Sequence, residues 1–206
     1  MARSALLNVM VQAALKAGKS LGRDFGEVQN LQVSVKGPGD FVSAADRKAE
    51  KIVREELLKA RPTYGFLGEE SEEIKGTDGA HRWIVDPLDG TTNFLRGIPH
   101  FAVSIACKYR GRLEHAVIVD PVRQEEFTAS RGRGAQLNGR RLRVSSRTSL
   151  EGALLGTGFP FRDNQMADMD NYLGMFRALT GQTAGIRRAG SASLDLAYVA
   201  AGRFDA

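Results

Sequence analysis

Residues 101–144 read as a ladder of short strands: FAVSIACKY, RLEHAVIVD, QEEFTAS, GAQL and RLRVS. Turn signals separate them at Arg110-Gly111, Asp120-Pro121, the 131–134 stretch and Asn138-Gly139, the last a strong hairpin dipeptide. Connections this short join antiparallel neighbours, so the run predicts a meander within a large, partly antiparallel sheet. Helices to cover that sheet are visible on both sides of the run. Ala5, Leu6, Val9, Met10, Ala13, Ala14 and Ala17 fall at helical spacing, with Gly18 and Gly22 marking the end region. A second helix is predicted from about Ser43 to Ala60, with Ala45, Ala49, Ile52, Val53 and Leu57 on one face and Pro62 beyond its end. Between the two, residues 31–36 alternate as a strand and lead into a Gly37-Pro38-Gly39 turn. After the ladder come a strand over ALLGTG, a helix from about Asn164 to Leu179, a strand near Gly185 to Arg188, and a helix over 191–201. No internal repeat and no linker interrupts this order. The expectation is a single mixed α/β domain over 1–206.

Composition narrows the function classes. The chain has 206 residues, 42% hydrophobic and 26% charged, enough for a sizeable core. It has no apolar run of about 18 residues, which excludes a transmembrane helix. The single cysteine, Cys107, excludes an internal disulfide and a multi-cysteine zinc site, and sits in an apolar run that suits the core. A cytoplasmic location without membrane association is therefore expected. His81, His100 and His115 are scattered without metal-ligand spacing. The net charge is +5, and ten Lys and Arg against four acids fall between Lys108 and Arg147. That segment reads as the solvated face of a sheet, or as a patch that steers anionic substrates or touches RNA.

The chemistry concentrates in Trp83-Ile84-Val85-Asp86-Pro87-Leu88-Asp89-Gly90-Thr91-Thr92-Asn93-Phe94. A buried strand is predicted to end at Asp86, with a tight turn over 87–90 that converges the Asp86 and Asp89 carboxylates. The amides of Gly90, Thr91 and Thr92 would open a short helix as an anion site. Carboxylates beside phosphate-binding amides suit hard cations that bridge protein and phosphate. Taken singly, Asp-Pro and Asp-Gly are ordinary turn dipeptides, and an Asp at a helix start is ordinarily a cap. A second acidic cluster, Gly68-Glu69-Glu70-Ser71, also follows an apolar strand, seventeen residues ahead of Asp86. Adjacent parallel strands deliver such groups to one sheet edge.

GEES followed by WIVDPLDGTTNF resembles the signature of the inositol monophosphatase family, magnesium-dependent, lithium-sensitive phosphatases of small phosphorylated alcohols. The likeness extends through DFVSAADRKAEK to GIRRAGSASLDLAYVAAGRFDA, and its spacing is most similar to the bacterial extragenic-suppressor branch. It implies the layered inositol-phosphatase/sugar-phosphatase fold, in which helix and sheet layers alternate. It further implies that Glu69, Asp86 and the Leu88 carbonyl hold a first Mg2+, and that Asp86 bridges to a second ion ligated by Asp89. On the same resemblance Thr91 and Glu69 orient the attacking water, and the Gly90 and Thr91 amides hold phosphate. Asp46 resembles a family acid that holds outer waters or a third, weaker ion. Arg187, Gly190, Ser191 and Ala192 match positions that contact the alcohol, and Lys36 matches a lysine near a mobile loop. The implied substrate is inositol 1-phosphate or a related alcohol or sugar phosphate. Fructose 1,6-bisphosphate, histidinol phosphate and 3′-phosphoadenylate are alternatives on the same fold. Implied partners are a second copy, forming a homodimer when full length, and RNA polymerase or antitermination factors.

Members of that family also carry a metal-binding Asp in a Trp-Asp pair beyond the run that ends here at Asp205-Ala206. This chain has one tryptophan, Trp83. The expectation is therefore a fold with an incomplete C-terminal part and a second metal site held by Asp86 and Asp89. Asp195 and Asp205 are the acids available as substitutes, and Asp195 reads as structural.

Overall fold

The computed structural model describes residues 3–26, 33–37, 40–160 and 163–206. Helix α1 (Ala5–Phe25) starts at Ser4, whose hydroxyl accepts the Leu7 amide at 3.1 Å. It is followed by β1 (Val33–Gly37) and β2 (Asp40–Ser43), an antiparallel pair, and by α2 (Ala44–Ala60). The strand expected over 31–36 thus begins at Val33. Pro38 and Gly39 of the expected turn, and the side chain of Lys36, lie outside the described residues.

The main sheet has seven strands in sequence order: β3 (Gly65–Leu67), β4 (His81–Asp89), β5 (Ala102–Tyr109), β6 (Arg112–Asp120), β7 (Glu125–Ser130), β8 (Gly134–Leu137) and β9 (Arg140–Arg141). β3 and β4 are parallel and every later neighbour is antiparallel, as the turn signals required. The two-residue link Asn138-Gly139 has φ of +48° and +79°, the left-handed pair that matches the twist of a tight hairpin. Helix α3 (Thr91–Leu95) interrupts the sheet between β4 and β5. Beyond it lie β10 (Leu154–Gly156), a 3-10 turn (Asp163–Asp168), α4 (Met169–Thr180), β11 (Gly185–Arg187) and α5 (Ala192–Ala200). β10 and β11 form a parallel pair of their own.

Burial explains the layering. α1 presents Met10, Ala14, Ala17 and Leu21, and α2 presents Ala49, Val53 and Leu57, to a core completed by Trp83, Val85, Val103 and Ile105 of the sheet. The opposite sheet face carries a smaller cluster, Ala102 and Phe127 with Leu194 and Ala197 of α5. The order is helices, sheet, helix.

Several boundaries differ from expectation. The strand expected over RLRVS is reduced to β9, Arg140–Arg141, and 142–145 form no strand. α1 runs through Gly18 and Gly22 rather than ending there. A Cβ on Gly18 would stand 3.4 Å from Pro121 and Val119, so this glycine lets the helix approach the sheet closely instead of stopping it. The helix expected from 164 opens as the 3-10 turn and becomes α-helical only at Met169; neither segment buries a residue that would enforce one regular helix. Among the described residues no helix is long and apolar enough to cross a membrane.

Candidate active site

β4 does not end at Asp86. It continues through Pro87 and Leu88 to Asp89, and the expected tight turn is a bulge within the strand. Asp86 pairs with Ser104 and Asp89 with Ala102, so three steps on β4 face two on β5. In a regular strand, residues three apart point to opposite faces; the extra residue returns Asp89 to the face of Asp86. Pro87 lacks the amide that a regular ladder would require, and a bulge tolerates it. The convergence foreseen for the two carboxylates is real, and its cause is a bulge.

The chain then turns sharply at Gly90, whose φ is +99°. A Cβ there would sit 2.9 Å from the His100 carbonyl oxygen, so only glycine fits. Gly90 caps α3, which begins directly after the Asp89 end of β4 and leaves the first amides of that short helix without intrahelical partners. Thr91 lies just inside the turn. Its Oγ1 stands 3.0 Å from the Leu88 carbonyl oxygen and 3.2 Å from Asp46 Oδ2, and donates to these acceptors. Asp46 itself is buried in the first turn of α2.

Electrostatics identify the cluster. The Asp86 carboxyl is pushed up to about 8 by burial first, and then by the carboxylates of Asp89, Glu69 and Asp46. The Leu88 amide, 3.2 Å from Asp86 Oδ1, opposes the shift only in part. Four carboxylates thus act on one another here, from buried Asp46 through partly buried Asp86 and Asp89 to exposed Glu69, a repulsion a divalent cation relieves. Among the described residues no three His, Cys, Asp or Glu side chains converge closely enough to enclose an ion by themselves. Magnesium keeps several waters and needs only one or two carboxylates, so the hard oxygen set of Asp86, Asp89, Glu69 and the Leu88 carbonyl fits it.

Asp89 has a further engagement that sequence reasoning missed. Its Oδ2 accepts the Ser191 hydroxyl at 2.7 Å, the Ser193 amide at 2.7 Å and the Ser193 hydroxyl at 2.5 Å, while Oδ1 accepts the Ala192 amide at 3.3 Å. The carboxylate thus caps α5 from 102 residues away, a long-range cap no local motif announces. Asn93 was missed as well. Its Nδ2 donates to the His100 and Ala189 carbonyls, both at 2.8 Å, tying α3 to the loop that carries Gly190. Ser191 and Ala192 therefore stand beside Asp89, and Gly190 beside Asn93. Arg187 does not join them through any described bond; it is exposed and donates to the Ile186 carbonyl.

The two acids considered as substitutes differ. Asp195 on α5 has its carboxyl pushed up to about 6, by burial and by the Asp89 charge, against a lowering from Arg188. Asp205 accepts Ser145 Oγ at 2.5 Å and the Leu154 amide at 2.8 Å, which commits it to holding β10. Cys107 is buried, with its thiol pushed up to about 11, chiefly by burial, and is inert as a nucleophile. Three of the arginines in the basic segment are spent on intramolecular pairs: Arg123 with Asp120, Arg131 with Glu114 and Arg147 with Asp205. Arg140, Arg141 and Arg143 are exposed.

A layered α/β protein with acids gathered at a strand bulge beside a helix start belongs to a phosphate-handling class of folds. The comparisons make the class specific. The inositol monophosphatase family matches residues 2–206, and the chain belongs to that family. It is 69% identical over 205 residues to an inositol-1-monophosphatase of Rhizobium meliloti (strain 1021), covering 100% of this chain and 76% of the relative. It is 64% identical over 203 residues to the Nus factor SuhB of Pseudomonas aeruginosa, covering 98% and 75%. In structure it is similar to the extragenic suppressor protein suhB from Bartonella henselae, with a TM-score of 0.94 and 61% identity over 98% of this chain and 76% of that one. The fold is accordingly that of the inositol monophosphatases.

Proposed function

We propose that this chain is a magnesium-dependent phosphomonoesterase acting on inositol 1-phosphate or a related small alcohol or sugar phosphate. The observation that carries the reading is the Asp86 corner, where burial and three neighbouring carboxylates press one acid to about 8 next to the start of α3. Glu69, Asp86, Asp89 and the Leu88 carbonyl are the residues that would hold the metal, with Asp46 behind them. Bound magnesium supplies a water of lowered pKa and neutralises phosphate charge. The Gly90 and Thr91 amides receive the phosphate oxygens, which need fixed donors and no covalent nucleophile. Thr91 directs its proton toward the Asp46 carboxylate or the Leu88 carbonyl, leaving its oxygen lone pairs to accept from a water. Glu69 completes the orientation of that water. Gly190 and Ala192, on the loop beside Asp89, are the side proposed to meet the alcohol; Ser191 is buried against Asp89, and Arg187 stands exposed outside this group. Phosphate release from a panel of inositol 1-phosphate, fructose 1,6-bisphosphate, histidinol phosphate and 3′-phosphoadenylate, with magnesium and then with lithium added, tests the reading. Hydrolysis of none of them overturns it.

Thr91→Ala is expected to lower kcat by about 10² to 10⁴ with magnesium affinity nearly unchanged, because it removes a positioning hydroxyl and no charge. Steady-state kinetics over a magnesium series check this. A change confined to KM makes Thr91 a substrate contact instead.

A second reading rests on the relative named Nus factor SuhB and on the exposed arginines. It makes the chain a partner of RNA polymerase or antitermination factors through Arg140, Arg141 and Arg143. Changing all three to Ala is expected to reduce polymerase capture, most at low salt, where exposed charges are least screened. Capture by neither form at either salt concentration removes this reading.

A further inference from the structure

Helix α2 buries two carboxylates one turn apart, Asp46 and Glu50, each only 2% exposed. Asp46 meets Thr91, as described above. Glu50 lies within the DFVSAADRKAEK stretch, but no role is assigned to it above. Its Oε2 accepts the Glu70 amide at 2.7 Å, twenty residues along the chain. Gly68 lies flush against the same carboxylate, to the point that a Cβ at 68 would occupy its position. The segment between β3 and β4 that contains Glu69 is closed at its base by Phe66 and Ile74, which exchange two backbone bonds of 2.8 Å. Glu50 is the second pin, set at the tip.

We propose that Glu50 is a positioning residue: it fixes the 68–70 backbone so that Glu69 faces Thr91 at the water site. The inference rests on the phosphatase reading above. Its logic is geometric. Glu69 lies in the segment after β3 and Thr91 at the start of α3, and each needs an outside reference to hold its place relative to the other. Residues 46 and 50 share one helix face and provide that reference from a single rigid element. A carboxylate serves better than an amide donor here, because the backbone it must hold presents N–H groups, and charge-assisted bonds are the stronger ones. A buried acid with only a structural role would stabilise the fold without affecting turnover, and the two roles separate experimentally.

Three variants make the test: Glu50→Ala, Glu50→Gln and Gly68→Ala. In Glu50→Ala, hydrogen exchange at the Glu70 amide is expected to accelerate about 10- to 100-fold. With it, kcat falls about 10²-fold while KM stays within about threefold, since misplacement spares ground-state binding. Glu50→Gln keeps an acceptor in place and is expected to retain kcat within about threefold. Gly68→Ala, which leaves Glu50 intact but displaces its carboxylate from the loop, should reproduce the Glu50→Ala split and stands in for it should Glu50→Ala not fold. Faster exchange with unchanged kcat, or a Gln variant as impaired as the Ala variant, overturns the proposal. Calorimetric magnesium binding keeps the two claims apart. If the unaltered chain hydrolyses nothing, the phosphatase reading falls by itself, and positioning is then judged on whether Glu50→Ala weakens magnesium binding about tenfold or leaves it unchanged.

Discussion

Asp86→Asn is expected to abolish phosphate release and, at the same time, to raise the melting temperature of the metal-free protein. Both effects follow from one cause. Burial and the charges of Asp89, Glu69 and Asp46 lift the Asp86 carboxyl from its ordinary 3.8 to about 8. A carboxyl whose folded pKa is raised contributes its full stability below the unfolded value and loses it as pH climbs through the folded one. In chelator, unfolding free energy should therefore decline between pH 4 and pH 8, with Asp86 as a main contributor. Asparagine keeps the shape and cannot ionise, so the variant should lose part of that slope and be more stable at pH 8 by about 1–3 kcal/mol. On a chain of this length that corresponds to a melting temperature higher by about 2–12 °C. Activity falls because the neutral amide no longer supplies the anionic oxygen that a cation and a water both need. Thermal melts at pH 5 and pH 8 with chelator, alongside phosphate release with magnesium, check the pair of effects. A variant with near-normal activity at saturating magnesium refutes the role given to Asp86, and one less stable than the parent at pH 8 refutes the electrostatic account.

The parts of this fold that could be read from sequence are those specified by neighbours along the chain. Asn138-Gly139 demands left-handed φ at both positions, so the β8–β9 hairpin was visible before any coordinates. The apolar stripes of α1 and α2 recur every three or four residues, and both helices stand where those stripes lie. Gly18 and Gly22 misled because glycine ends helices and also permits close packing; only the nearness of Pro121 separates the two meanings. The bulge at Asp86–Asp89 is similarly invisible, since Pro87 fits a turn and a bulge alike. At the site, the acids of the signature were legible because their types and spacing are local. Glu50, Asn93 and the Asp89 cap of α5 were not, because each acts on a backbone 20, 96 or at least 102 residues away. Long-range pins of this kind leave no periodicity to detect.

Asp89→Ala should behave oppositely to Asp86→Asn in stability, although the two acids lie three residues apart on one sheet face. Asp89 accepts from Ser191, Ala192 and Ser193 at the start of α5, and its negative charge complements the positive end of that helix. Alanine would leave the fully buried Ser191 hydroxyl and the Ser193 amide without this acceptor. Loss of a cap costs about 0.5–2 kcal/mol, and each buried donor left unsatisfied about 1–3 kcal/mol. A net destabilisation of about 2–4 kcal/mol is expected, lowering the melting temperature by about 4–16 °C. Because α5 covers the sheet face through Leu194 and Ala197, the loss should spread to Ala102 and Phe127 as faster exchange of β5 and β7 amides. Asp89→Asn separates cap from charge: it retains an acceptor oxygen and should recover about half the stability while activity stays low. Differential scanning of the three proteins in chelator measures the ordering directly. If Asp89→Ala melts at or above the parent temperature, the carboxylate is not holding α5, and the helix must be anchored by its Leu194 and Ala197 contacts alone.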